Sequence, residues 1–232
     1  MFLRPRSWLP ARAIQIYDAH RFELATIWGQ FWQRRYADVG LDYLQVGSYE
    51  SRLPGFLNTD HFSNRDADFH LDIRYPLPFA DARWAGIFAH HIVEHVRYEE
   101  ALSFCREAHR VLKRSGALRI VVPDAQKFLD AYGSSEAERI ARFLAIMPPG
   151  HLNSVRPQTA LGFVNFAFYC GGWNEHRSAW DFETMATALG EAGFSRIERA
   201  ECGQSRDTKM SGIDTAHWAE HSLYVEAVKT AD

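Results

Sequence analysis

The chain has 232 residues, of which 47% are hydrophobic and 24% are charged, and its formal net charge is −3 at pH 7. This length suits one domain with a sizeable core and lies within the usual single-domain range of α/β proteins. The charge argues against a dedicated nucleic-acid binder, which would carry a basic excess. Cys105, Cys170 and Cys202 are too few and too far apart for a zinc motif or a disulfide framework. We therefore expect a cytoplasmic protein.

The first 40 residues are predicted to form a helical segment that packs on the core or caps the site. Apolar side chains recur at roughly helical spacing over residues 12–36. The segment up to Tyr36 also carries six arginines against two acidic residues. A basic, aromatic helix of this kind also suits an anionic membrane surface, so peripheral membrane contact stays open. No apolar run of about 18 residues predicts a membrane span.

A parallel sheet is predicted over residues 41–122. Four strand patterns come first, and they cover residues 42–47, 55–60, 68–72 and 84–90. A helix over about 98–113 has an acidic start and a basic end, which suits the helix dipole, and Gly116 follows as a stop. The buried-strand pattern of residues 117–122 then completes a βαβ unit.

The stretch from 124 to 180 is irregular and long, which is typical of a lid or of a wall of a substrate site. A helix is predicted over residues 181–192, with Asp181 near its start and Gly193 as its stop. Residues 194–202 and 222–229 read as two further strands. Their connection is too irregular to require a crossover helix, so an antiparallel final pair is expected.

Polar residues lie where the predicted strands end, which is where parallel sheets bind ligands. Gly47 follows the first strand, and Asp60 follows the second strand 13 residues later. A dinucleotide fingerprint would have three spaced glycines and an acid about 20 residues further on. This spacing disfavours a nicotinamide dehydrogenase.

Four motifs carry a resemblance to a known family. They are the passage Leu71-Asp-Ile-Arg-Tyr-Pro-Leu-Pro-Phe79, the group His91-Ile-Val-Glu-His95, the passage Arg110-Val-Leu-Lys-Arg-Ser-Gly-Ala-Leu-Arg-Ile-Val-Val-Pro-Asp124 and the loop Val46-Gly-Ser-Tyr-Glu-Ser-Arg-Leu-Pro-Gly-Phe-Leu-Asn-Thr-Asp60. In these motifs the chain resembles the class I S-adenosylmethionine-dependent methyltransferases. The resemblance implies a Rossmann-like doubly wound, mostly parallel seven-stranded sheet with an antiparallel C-terminal strand.

The resemblance also implies a cofactor, S-adenosyl-L-methionine, and positions that hold it. Gly47 and Ser48 match the loop after the first strand, and Asp60 matches the carboxylate that takes the ribose hydroxyls. Asp72 and Ile73 match the position that reads the adenine. His90 lies at the end of the fourth strand, beside the expected sulfonium.

Histidines are the candidate bases for a methyl transfer, because imidazole titrates near neutral pH. His90 and His91 lie at the mouth of the predicted site, and His176 precedes the last helix, where the family has a histidine facing the cleft. His176 is the preferred base. His91, Glu94 and His95 could share a helix face as metal ligands, but the family carries the Glu-His pair without a metal requirement, and no metal is assigned.

The leading hypothesis is a methyltransferase that acts on a small molecule or a glycan. The alternative is a non-catalytic binding or assembly protein that has lost the cofactor, because Tyr49 stands where the family has its second glycine. A homodimer is compatible with either hypothesis.

Overall fold

The computed structural model describes residues 39–49, 51–61, 67–133, 160–169 and 175–230. The predicted N-terminal helical segment, residues 1–38, and most of the stretch from 134 to 174 lie outside these residues. Cys105 and Cys202 are free thiols. Within the described residues, no helix combines the length and the apolarity that a membrane crossing needs.

Seven strands form one sheet, and their bounds follow in chain order. They are β1 (Tyr43–Val46), β2 (Phe56–Asp60), β3 (Phe69–His70), β4 (Trp84–His90), β5 (Leu112–Pro123), β6 (Arg196–Ala200) and β7 (Ser222–Val228). The order across the sheet is β3-β2-β1-β4-β5-β7-β6. The first five strands pair in parallel, and β7 runs antiparallel to both β5 and β6. The predicted fold class, including the antiparallel C-terminal strand, is confirmed.

Four α-helices are described: α1 (Tyr98–Val111), α2 (Ala125–Gly133), α3 (Ala160–Tyr169) and α4 (Phe182–Glu191). Asp181, which the sequence placed near the start of this helix, caps α4: its carboxylate accepts the backbone N–H of Thr184 at 2.8 Å. Gly193 follows with a φ of 104°, a conformation that favours glycine. Between β6 and β7 the structure has one short 3-10 turn, Ala216–Trp218, and no crossover helix among the described residues.

The sequence analysis was wrong about the end of α1. The helix ends at Val111 instead of Lys113, and Leu112 is already extended and pairs with Trp84. Ser115, not Gly116, takes the positive φ of 62°. Gly116 is required for another reason, since a Cβ there would lie 2.9 Å from the carbonyl oxygens of Ala85 and Lys113. The predicted third strand is also shorter than expected and covers only Phe69–His70.

The main core lies between the sheet and helices α1 and α4. Its members are apolar and buried, and the largest are Trp84 and Trp180; Trp84 packs edge-on against Phe79 with ring centroids 5.0 Å apart. The central strands β2 and β4 are buried along almost their whole length, as expected for a sheet covered on both faces. This core holds the carboxyl ends of β1, β2 and β4 side by side.

A buried ion cluster stabilises the connection between β6 and β7. Arg119 of β5 has no exposed side-chain surface, and it pairs with Asp214 and with Glu226, whose Oε1 is 2.8 Å away. The same guanidinium donates to the carbonyl oxygens of Glu201 and Gln204, each at 2.9 Å. Five donors of one side chain therefore fix a connection that has almost no regular structure of its own.

Candidate active site

The loop after β1 turns sharply against the end of β4. Gly47 has a φ of 81°, and its backbone N–H donates to Thr59 O at 2.9 Å. A Cβ on this residue would lie 3.1 Å from both His90 O and Ile92 Cβ. Only glycine meets both conditions without strain. The predicted role of Gly47 in a close backbone approach is consistent with this geometry.

Ser48 presents a polar atom that the fold leaves unused. Its backbone N–H donates to Thr59 O at 3.0 Å, and the residue is fully buried. Its Oγ has no hydrogen-bond partner among the residues that the structure describes. A buried hydroxyl without a partner costs free energy, and no described group offsets that cost.

Tyr49 occupies the family's glycine position in a conformation that suits glycine. Its φ is 40°, in the left-handed region, and its residue surface is 63% exposed. Its backbone N–H donates to Asp60 Oδ2 at 2.8 Å. The ring therefore does not fill the interior of the loop, and the backbone of the loop is bound to the carboxylate at the end of β2.

Asp72 lies in a charged cluster after β3. Its carboxylate accepts Arg74 Nε at 2.9 Å and Arg74 Nη2 at 2.7 Å, and His61 Nδ1 lies 3.4 Å away. Burial favours the neutral acid, but the hydrogen bonds and charges of Arg74 and His61 outweigh it and hold the pKa of Asp72 well below its usual range. Ile73 beside it is buried. The structure thus gives Asp72 partners that the sequence analysis missed.

Asp72→Asn is expected to make the free energy of unfolding depend less steeply on pH in the acid range. A carboxylate with a lowered folded pKa contributes stability above its unfolded pKa of about 3.9, and that contribution is lost as the pH falls. The free energy of unfolding of the variant should therefore fall less steeply than that of the native protein between about pH 5 and pH 2. Urea titrations across this range would measure it, and two parallel curves would contradict the prediction.

His90 and His91 lie together at the end of β4, as predicted. Their ring centroids are 4.7 Å apart. His91 has a φ of 48°, and its Nδ1 and Nε2 lie 2.9 Å from Glu94 Oε1 and 3.1 Å from Ser222 Oγ. Both of its ring nitrogens are thus engaged, and one of them contacts Glu94; the role of His91 as a base stays a prediction.

The hypothesis that His91, Glu94 and His95 share a helix face is wrong. Residues Val93–His95 form a single 3-10 turn, so no α-helical i to i+4 relation exists there. Glu94 is instead a buried residue, 1% exposed, and His91, His95 and His176 are near enough to its carboxylate to influence it. Burial opposes its ionisation, but the hydrogen bond from His91 and the nearby His95 and His176 outweigh burial and lower the pKa of Glu94 to about 2.

Backbone hydrogen bonds that the sequence did not reveal hold the segment after His176 against the Val93–His95 turn. The N–H groups of Arg177 and Ser178 donate to Glu94 O at 2.7 and 3.2 Å. Ser178 Oγ donates to Val96 O at 2.9 Å and accepts from Trp180 Nε1 at 2.9 Å. These bonds place the His176 ring edge-on to the His95 ring, with centroids 5.0 Å apart.

A cleft of about 580 Å³ opens beside His176. Its wall combines aromatic residues of α3 with charged and polar residues around the 175–179 segment; the lining residues are Arg97, Phe168, Tyr169, Glu175, His176, Arg177, Ser178 and Ala179. Phe168, Tyr169 and residues 175–179, which belong to the stretch predicted as a lid or wall, line this cleft; their role as a lid or wall stays a prediction. Arg97 and Arg177 were not singled out from the sequence, because isolated arginines carry no motif.

Sequence comparison identifies a known domain in the centre of the chain. Residues 55–120 match the family described as a methyltransferase domain. The match covers β2 to most of β5, which includes Asp60, Asp72 and His90. No curated protein matches the chain.

Structure comparison returns methyltransferases at low identity. A protein from Thermotoga maritima, described as a possible histamine N-methyltransferase, is 12% identical with a TM-score of 0.47, over 94% of this chain and 95% of that one. A Methanosarcina mazei methyltransferase is 14% identical with the same score, over 82% and 92%. The chain spans 47% of the methyltransferase domain of the citrinin polyketide synthase, at 14% identity and a score of 0.47. At these scores the fold assignment rests on the strand order itself.

Proposed function

Given a methyltransferase domain at residues 55–120, we propose that this protein is an S-adenosylmethionine-dependent methyltransferase that acts on a small molecule or a glycan. The loop formed by Gly47, Ser48 and Tyr49 carries the proposal. It combines a close backbone approach, a buried hydroxyl without a partner among the described residues, and a carboxylate at the end of the next strand.

These residues fit an adenosyl ligand. Asp60 Oδ2 accepts the N–H of Tyr49, so the carboxylate at the end of β2 lies beside the loop, where a carboxylate takes the ribose hydroxyls in nucleotide-binding sheets. Ser48 Oγ is the polar atom that a bound ligand would satisfy. Asp72 and Ile73 stay the proposed base-reading pair, with Arg74 fixing the carboxylate by two hydrogen bonds.

When bound, S-adenosylmethionine would supply an electrophilic methyl group to a lone pair of the acceptor, with the electron pair of the carbon–sulfur bond left on sulfur, and Gly47, Ser48 and Asp60 would hold it. The protein's own contribution is chiefly to hold the acceptor in line, since positioning supplies much of the rate in such displacements. The cleft beside His176 suits this task, because Phe168 and Tyr169 offer apolar contact and Arg97 and Arg177 offer charged donors.

Calorimetric titration with S-adenosylhomocysteine tests the proposal. We expect one binding site per chain and no heat with NADH, since the loop lacks a dinucleotide fingerprint. No binding at about 1 mM ligand, which corresponds to a binding free energy weaker than about −4 kcal/mol, would overturn the proposal and favour the non-catalytic alternative.

Tyr49→Gly separates the two hypotheses at a single residue. Because the ring is largely exposed and the backbone is already in the left-handed region, removing the side chain should leave the affinity for S-adenosylhomocysteine within about threefold, a difference of about 0.7 kcal/mol. Tyr49→Ala controls for the extra freedom that glycine gives the backbone. Binding that tightens tenfold or more in both variants would show instead that the phenol ring obstructs the site.

A further inference from the structure

Glu94, His95 and His176 form a group of metal-ligand type. One ligand atom from each of these side chains lies within 4.8 Å of the other two. His95 Nε2 is 3.9 Å from Glu94 Oε1. Zinc ligands lie about 2.0–2.2 Å from the ion, so side-chain movements of about 1 Å would bring the three atoms to bonding distance.

The tautomer of His95 suits a ligand role. Its Nδ1 lies 3.4 Å from the carbonyl oxygen of Glu175, a contact that favours the proton on Nδ1. The lone pair is then on Nε2, the nitrogen that faces Glu94. An N–H to carbonyl contact of this kind is how metal-bound histidines are commonly oriented.

Glu94 provides the second, independent observation. The side chain is 2% exposed, and its Oε2 has no hydrogen-bond partner among the residues that the structure describes. Its Oε1 is held by His91, whose other nitrogen lies 3.1 Å from Ser222 Oγ. His91 and Ser222 thus orient a buried carboxylate, one oxygen of which has no partner among the described residues. Outer groups that form hydrogen bonds of this kind commonly orient metal ligands.

We propose that Glu94, His95 and His176 bind a divalent transition-metal cation, for which Zn²⁺ is the best-suited ion. Two imidazoles and one carboxylate are a ligand set for zinc and related ions, whereas Mg²⁺ and Ca²⁺ prefer oxygen ligands. In this arrangement His176 is a ligand and not the general base that the sequence analysis preferred.

Three protein ligands leave at least one coordination position for an exogenous ligand. His176 lines the cleft of about 580 Å³, so that position is accessible from the proposed acceptor site. An acceptor that presents a hydroxyl or carboxylate oxygen would complete the coordination and be positioned by it. This last step rests on the proposed function, whereas the metal site does not.

The test uses the full chain without a histidine tag, stripped of metal with a chelator and titrated with Zn²⁺ in a calorimeter. We expect one equivalent to bind, and about a hundredfold excess of Mg²⁺ not to compete. Glu94→Gln, His95→Asn and His176→Asn should each weaken binding by at least about tenfold. His70→Ala, which removes an exposed histidine elsewhere on the sheet, is the matched control and should bind as the native protein does.

Cobalt provides a second measurement that does not depend on the stability of the variants. The native protein with one equivalent of Co²⁺ should show visible absorption bands of a nitrogen- and oxygen-ligated ion, and Zn²⁺ should abolish them. No stoichiometric binding of either metal, or ligand variants that bind as His70→Ala does, would overturn the proposal. S-adenosylhomocysteine binding, measured with chelator present, reports on the proposed function separately.

Discussion

Arg119→Met is expected to lower the free energy of unfolding by about 3–5 kcal/mol, because it leaves two buried carboxylates without a partner charge. Asp214 and Glu226 are 0% and 7% exposed at their side chains, and both pair with this guanidinium. The carbonyl oxygens of Glu201 and Gln204 lose a donor at the same time. Urea denaturation followed by circular dichroism would measure the loss.

Arg196→Met is the matched control, since it removes an arginine that is 47% exposed and pairs with Glu198 at the surface. Surface pairs contribute little, so this variant should unfold at the same urea concentration as the native protein. A native-like midpoint for Arg119→Met as well would mean that the buried cluster does not stabilise the connection between β6 and β7.

Asp60→Ala should weaken binding of S-adenosylhomocysteine by about tenfold or more, because a hydrogen bond to a charged group contributes about 1.5–3 kcal/mol. Asp60→Asn is the sharper variant. Its amide oxygen still accepts the N–H of Tyr49, which keeps the loop in place, while the charge that would hold two ribose hydroxyls is removed. Calorimetry on both variants gives the affinities.

The control for this series is Asp68→Asn. Asp68 also accepts a backbone N–H of β2, from Asn58 at 3.0 Å, and pairs with Arg52 at 2.7 Å, but it lies before β3 and not at the carboxyl end of β2. Its replacement should leave the affinity unchanged. Equal affinities in the native protein, Asp60→Ala and Asp60→Asn would show that the pocket has been misplaced.

The sheet was predictable because its strands carry strong local patterns. The run before Asp124 is apolar apart from Arg119, a pattern typical of a strand buried on both faces. The acidic start and basic end of α1 indicated the crossover helix. The position of the end of α1 was not predictable, because Leu112 satisfies the helical period as well as the strand pattern. Pairing with Trp84 decides in favour of the strand, and that contact is not local.

The candidate site likewise has residues that could be predicted from the sequence and contacts that could not. Gly47 and Asp60 could be found, since a loop glycine and a strand-end carboxylate leave a local signal. The hydrogen-bond partners of Asp72 and Glu94 could not be found from the sequence. Arg74 is only two residues from Asp72, but the pairing of His91 with Ser222 joins residues 131 positions apart.

His176 shows most clearly what the sequence lacks. Its motif context suggested a cleft histidine, which agrees with its position on the wall of the cleft. Its proximity to Glu94 and His95 depends on backbone bonds from residues 177 and 178. Backbone pairing has no residue signature, so the cluster appears only in three dimensions.

The most direct test is a crystal structure of the protein with S-adenosylhomocysteine. The account predicts the ligand across Gly47 and Ser48, with its ribose hydroxyls within hydrogen-bonding distance of the Asp60 carboxylate. A ligand bound elsewhere, or a Tyr49 ring that occupies the loop while Asp60 faces away from it, would contradict the account.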